Sequence, residues 1–390
     1  MQFAKRMEQF ADGIFTELLA MKTQQEKAGH TVIDLSVGTP NIPPVERIRR
    51  ALADAALDPK NYVYAIRDTS ALQKAAAVWY KRRYGVELDP ETQIESLLGS
   101  QEGLTHICLS IIDPGETVLV PDPCYPAFSC GPLVADGRLC YMPLKKENGY
   151  LIDFDAIDPE DAKKAKLMIV SYPNNPTTAI APDSFYEKLI AFAKKYDIIV
   201  LHDNAYSDLV FDGHTCGSFL RFPGAIDVGV EFNSLSKTYG MAGARVGFCL
   251  GNEKVVRMLK TLKSNMDYGM FLPIQRAAIE AITGDQSCVK ETCRAYETRR
   301  DLLISLFGQF GWRIDPPAAT MFVWAQIPAQ FGEDDRAFTR ALLEKAQVLV
   351  TPGSAFGPHG VGHVRMALVQ DEEALREASR RMAETDLFQA

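Results

Sequence analysis

Four short apolar runs, each ending in a polar or turn-rich segment, constrain this chain more than any other feature. Thr117–Val120 leads into Pro121-Asp122-Pro123-Cys124-Tyr125-Pro126, and Leu167–Val170 into Ser171-Tyr172-Pro173-Asn174-Asn175-Pro176. Ile198–Leu201 leads into His202-Asp203-Asn204-Ala205-Tyr206, and Val228–Phe232 into Asn233 and the run Ser234-Leu235-Ser236-Lys237. Helical patterns lie between them; one places Phe185, Leu189, Ile190 and Phe192 on one face, with Asp183 as its expected N-cap. Continuous apolar strands alternating with helices require a sheet covered on both faces, so the fold class is α/β with a mostly parallel sheet. In such sheets ligands sit beyond the carboxyl ends of the strands, where these four polar segments fall.

The C-terminal third changes character. A long helical pattern from about 288 to 310 gives way to an apolar strand over 321–327, a helix near 337–346, strands over 348–350 and 364–369, and a closing helix. This reads as a smaller α+β domain, and at 390 residues two domains are the natural expectation. Strand alternation sets Arg365 on the face opposite Val364 and Met366, toward a cleft, where it could clamp a carboxylate or make an interdomain ion pair.

Several function classes are set aside. The formal net charge is −8, with 42 basic against 50 acidic residues, which argues against nucleic acid. The apolar runs are far too short to span a bilayer. The first eight residues alternate charged and apolar side chains, unlike a signal peptide, so a cytoplasmic location is expected. Eight cysteines without a regular framework read as reduced thiols; Cys124 falls in a site loop but has no base beside it. The intervening Gly360-Val361-Gly362 is a poor helix, so His359 and His363 need not share a face and no metal is expected.

The chemistry gathers around Lys237. An amine between hydroxyls, with Arg245 eight residues on, suits an aldehyde cofactor that carries a phosphate. The amine can form an imine with the aldehyde while Ser234, Ser236 and Arg245 hold the phosphate, which points to pyridoxal 5'-phosphate. The first turn of a helix at Ser100-Gln101-Glu102-Gly103, with Ser100 as its cap, offers backbone N–H groups to the same phosphate. Asp203 is placed to keep the ring nitrogen protonated. Tyr206 and Asn175 could donate to the ring's phenolic oxygen, and Tyr125 could stack on its face.

Asn175-Pro176-Thr177, Asp203-x-x-Tyr206, Ser234-x-Ser236-Lys237 with Arg245, and Arg365 together resemble the fold type I pyridoxal-phosphate enzymes, specifically the class I/II aminotransferases, over about residues 32–367. The resemblance implies a large cofactor-binding domain (46–284) on a mostly parallel seven-stranded sheet and a small domain from 1–45 with 285–390. It also implies a homodimer with shared active sites, amino-group transfer from an L-amino acid to a 2-oxo acid, and Lys237 as the proton-transfer base. Gly38 and Asn175 would assist Arg365 with the substrate carboxylate, and Tyr64, or else Tyr62, would reach the partner subunit's phosphate. Within the family, segments 34–40, 64–69, 99–103 and 267–271 look most like the LL-diaminopimelate aminotransferase-like group and its alanine aminotransferase relatives. Thr178 stands where glycine is usual, Ala244 where tryptophan is common, and Gln101 where lysine is frequent, which puts acidic or diaminopimelate substrates in doubt. A carbon–sulfur β-lyase on the same fold is the nearer alternative, and a non-catalytic pyridoxal-binding module of a transcription regulator the more distant one.

Overall fold

A computed structural model of the chain describes residues 1, 3–10 and 14–388, except for the side chain of Phe15. Its centre is a seven-stranded sheet. From one edge to the other the strands are Ile94–Leu97, Gly247–Gly251, Gly229–Ser234, Ile199–Asp203, Ala165–Ser171, Thr117–Asp122 and Arg138–Pro143. Six run in one direction, and Gly247–Gly251 alone opposes its neighbours.

The four apolar runs are the four central strands, and their side chains divide by pleat between two cores. Leu119, Met168, Val170 and Val200 belong to one apolar cluster, while Val118, Val120, Leu167, Ile169 and Leu201 belong to the cluster on the other face. Each such side chain, fully removed from water, contributes about 1.5–3 kcal/mol. Both faces are therefore held by helices, including Asp183–Tyr196 on one side and Ser100–Ile111 on the other.

Two helix starts differ from expectation. Pro182 takes the N-cap position before Asp183–Tyr196, and Asp183, the first helical residue, pairs with Arg221 instead. Gly99 takes the N-cap position before Ser100–Ile111, at a φ of 85° that favours glycine, so Ser100 is the first helical residue and makes no cap bond.

The C-terminal third carries the expected strands and helices in two small sheets. Phe322–Gln326, His363–Ala367 and Thr351–Pro352 form an antiparallel set, and Val348–Leu349 pairs in parallel with Ile33–Asp34 from near the start of the chain. The expected 348–350 strand is thus only Val348–Leu349, and a separate short strand, Thr351–Pro352, follows it in the other sheet. Ile33 and Leu35 join an apolar cluster with Val348, Val364 and Met366. Ala367 N–H donates to Leu35 O at 2.7 Å, so the segment entering Gly38 is fixed by residues more than 300 positions later. Among the described residues no helix is long and apolar enough to cross a membrane.

Candidate active site

Beyond the carboxyl ends of the four central strands lies a cavity of about 390 Å³. The chain order reverses across the sheet here, since Thr117–Asp122 is followed outward by Arg138–Pro143 while later strands step the other way. Twelve of the fourteen anticipated residues line it, and Glu102 and Tyr64 do not. The strand-end loops bring Tyr125, Asn175, Asp203, Tyr206, Ser234, Ser236 and Lys237 to the cavity, and Gly38, Ser100, Gln101, Arg245 and Arg365 close it.

Glu102 does not reach the cavity with its carboxylate. Its Oε2 accepts from Leu98 N–H at 2.9 Å and its Oε1 pairs with Lys263 Nζ at 3.1 Å, so only its backbone lies in the first helical turn facing the site. Tyr64 is exposed and also lies outside, with its ring 6.1 Å from Tyr268. Tyr62 spends its hydroxyl within the chain, donating to Ala56 O at 2.9 Å.

The local chain explains the placement of each group. Asn174 braces the loop before Asn175: its Oδ1 accepts from Thr177 N–H and Thr177 Oγ, and its amide donates to Ser171 O. Thr178 then adopts a φ of 64°, the left-handed conformation that glycine would take without steric cost. Ser234 Oγ caps the single turn Leu235–Thr238 by accepting from Ser236 N–H at 3.2 Å, which fixes Lys237 on that turn. Arg245 is wedged over Gly99, where an added Cβ would come within 2.2 Å of its guanidinium.

Arg365 is 2% exposed and lies over the rings of Phe322 at 4.1 Å and Phe356 at 4.6 Å. Nη1 donates to Asn175 Oδ1 and Nη2 to Ser36 O, each at 2.9 Å. Gly38 packs so closely on Phe322 that a Cβ there would sit 2.5 Å from the ring. Tyr125 Oη donates to Gln101 Oε1 at 3.0 Å across the mouth.

Charge in the cavity is lopsided. Among the described residues, Lys237, Arg245 and Arg365 line it against Asp203 as the sole carboxylate. Burial, with Arg365 and Arg245 nearby, holds the Lys237 amine down at about 8. Burial pushes Asp203 up to about 6, opposed by the His202 ring and the Ala205 N–H. Burial likewise lowers Arg365 to about 10 and raises Tyr206. Lys237 Nζ donates to Gly38 O at 2.9 Å.

Val37, Thr39, Ala205, Ala242 and Phe322 also line the cavity and were not singled out from the sequence. Phe322 had a signal, since it falls in the expected strand over 321–327; the others are small or generic side chains with none. Cys124 is buried with its thiol pushed up to about 12, an inert state. His359 pairs with Asp122 at 2.5 Å and His363 stacks on Trp324, so the two imidazoles serve separate contacts. Among the described residues the one group of three or more acidic and imidazole side chains close enough to share a cation is Glu102, His106 and Asp267, and Lys263 Nζ already stands 3.1 Å from both carboxylates.

Comparison with known proteins gives the same reading. The model of the family "Aminotransferase class I and II" matches residues 30–382. The chain is 44% identical to an LL-diaminopimelate aminotransferase of Syntrophobacter fumaroxidans, covering 97% of both chains. It is 41% identical to one of Moorella thermoacetica, covering 98% of both. Among solved structures, apo-BacF from Bacillus subtilis superposes over the full length of both chains with a TM-score of 0.97 at 39% identity. The two curated relatives are aminotransferases, which does not favour the lyase alternative. The chain therefore belongs to the class I and II aminotransferases, pyridoxal-phosphate-dependent enzymes that transfer an amino group.

Proposed function

We propose that the enzyme takes its amino group from an L-amino acid with an uncharged side chain, and that the cavity residues divide between cofactor and substrate as follows. The observation that carries this reading is the charge inventory: three cations and one carboxylate, with each cation claimed. Arg245, with Ser234, Ser236 and the first-turn backbone of Ser100, Gln101 and Glu102, would hold the cofactor's phosphate. Lys237 would hold its aldehyde carbon. Asp203 fits the ring nitrogen, because its Oδ1 is buried without a hydrogen-bond partner and a buried carboxylate favours a protonated neighbour. Bound there, the cofactor supplies an aldehyde to carry the amino group and a ring that accepts the electron pair left when the substrate's α-proton departs.

Arg365, held by Asn175 and Ser36 and flanked by Gly38, would take the substrate's α-carboxylate in bidentate fashion. Lys237, with an amine held near 8, would accept the substrate's α-proton and deliver it to the cofactor's former aldehyde carbon. Tyr206 and Asn175 would steady the phenolic oxygen and Tyr125 would cover the ring face. No cation lining the cavity is left for a distal carboxylate, and Val37, Tyr125 and Phe322 supply apolar surface instead.

A second reading, LL-diaminopimelate as donor, is favoured by the names of the two curated relatives. A panel of single amino acids added to the cofactor-loaded enzyme separates the two. Loss of the visible cofactor band with uncharged donors and little response to LL-diaminopimelate supports the first reading; the reverse order overturns it. We further read residues 46–284 and 1–45 with 285–390 as two domains, supported by the pairing of Ile33–Asp34 with Val348–Leu349. A cytoplasmic homodimer in which Tyr64 reaches the partner's phosphate site accords with the exposure of Tyr62, Val63, Tyr64 and Ile66 beside that of Tyr268 and Phe271.

A further inference from the structure

A second cavity, of about 600 Å³, shares no lining residue with the first. It lies between the end of the helix Ser70–Tyr84 and the start of the helix Ser287–Gln309, with Trp79 and Tyr239 among its walls. Four cations line it (Arg82, Arg83, Lys290 and Arg294) against two carboxylates, Asp208 and Glu297. In a chain of net charge −8 this is a local reversal of sign.

The two carboxylates are already committed. Asp208, only 5% exposed, pairs with Arg83 at 2.8 Å and accepts from Thr238 Oγ at 3.0 Å. Glu297 accepts from Asp212 N–H at 2.8 Å and leans toward Arg300. No carboxylate among the described residues lies within 4.0 Å of Arg82, Lys290 or Arg294; Arg82 donates to Ile282 O and the other two make no ion pair or hydrogen bond. Three like charges around one concavity repel one another unless a counter-charge enters, and a concave wall strengthens the field that a ligand meets there.

We infer that this cavity binds a small anion carrying more than one negative group, a polycarboxylate or a phosphate compound, between Arg82, Lys290 and Arg294. The location places it behind the turn that bears Lys237. Tyr239, two residues on, donates to Gln286 Oε1 at 2.6 Å in the cavity wall.

The test uses the cofactor-loaded enzyme, in which the phosphate site of the first cavity is filled. Thermal unfolding is followed with citrate, with pyrophosphate, and with sodium chloride at matched ionic strength. Stabilisation by either polyanion beyond chloride is expected, with citrate alone marking a carboxylate ligand and pyrophosphate alone a phosphate one. The charge reversals Lys290→Glu and Arg294→Glu together should weaken the apparent affinity about tenfold or more, while the amino-acid half-reaction keeps its rate and so reports an intact fold. Arg276→Glu, on a different helix, should leave the affinity unchanged. The inference is overturned if neither polyanion stabilises beyond chloride, or if the stabilisation survives in the double variant, which would place the anion at Arg365 instead.

Discussion

Arg365 and Asn175, 190 residues apart in the chain, meet in a 2.9 Å hydrogen bond that joins the small antiparallel sheet to the loop after a central strand. In the proposed role, this bond would hold the guanidinium in the geometry that receives the substrate's carboxylate. Removing Asn175 therefore loosens one hold on the guanidinium while Ser36 O keeps another and the charge remains. Asn175→Ala should lower kcat/KM by about 10–100-fold, the loss of one hydrogen bond to a charged group. Arg365→Lys should fall at least as far, because an ammonium cannot reproduce the planar fork. Steady-state kinetics with one donor check both, and an unchanged KM in Arg365→Lys would move the carboxylate site elsewhere.

In the role proposed for it, Lys237 would react with the cofactor's aldehyde carbon as the neutral amine. Burial and two neighbouring arginines bring its amine from 10.5 to about 8 in the cofactor-free protein. The folded value lies below the ordinary one, so the neutral fraction rises as pH climbs through about 8. The rate of cofactor uptake by cofactor-free enzyme should increase across pH 7–9 with a midpoint near that value. Stopped-flow absorbance reads it, and Lys237→Ala should show no covalent uptake at any pH.

Asp203 carries the opposite perturbation, a carboxyl raised from 3.8 to about 6 by burial. A raised acid binds its proton more tightly when folded, so it imposes no penalty below pH 3.8 and a growing one as pH rises to about 6. Above that the cost levels off at about 3 kcal/mol. Asp203→Asn should therefore raise the melting temperature of the cofactor-free enzyme at pH 8, with the difference vanishing at pH 4. In the loaded enzyme the same change should cut turnover by about 10² or more, because the ring nitrogen loses its counter-charge.

Thr178 holds a φ of 64° directly after the loop that places Asn175. A left-handed β-branched residue costs about 1–2 kcal/mol, of which glycine would return part after its own entropy loss. Thr178→Gly should stabilise the protein by up to about 1 kcal/mol without changing KM, measured by urea unfolding.

How much of this could be read from the chain depends on whether a residue's role was set by spacing or by packing. Lys237, Asp203, Tyr206 and Asn175 sit at the ends of apolar strands, so the strand pattern alone set them at one end of a sheet. Arg365 was legible from the pleat, since its neighbours Val364 and Met366 are apolar and 0% exposed. The edge strand Arg138–Pro143 and the opposing strand Gly247–Gly251 went unread: the first is half exposed and so lacks an apolar run, and the second is bracketed by glycine at each end. Glu102 shows a different limit, because its sequence position fixed its backbone in the first turn while Leu98 and Lys263, both beyond sequence reasoning, decided where its carboxylate points. Phe322 was read only as part of an apolar strand over 321–327; its duty of carrying the guanidinium of Arg365 on its face arises from the pairing of that strand with His363–Ala367.

The tie between Ile33–Asp34 and Val348–Leu349 makes timing part of the architecture. A ribosome that has delivered Lys237, Asp203 and Arg245 has produced the residues proposed to anchor the cofactor, but the segment that reaches Gly38 still has no strand to lie against. Ser36 waits for Thr351 and Arg365, which hydrogen-bond to its carbonyl, over more than 300 residues of intervening chain. The floor of the cavity is laid long before the wall that carries Gly38, which takes shape only when both distant portions of the polypeptide have emerged.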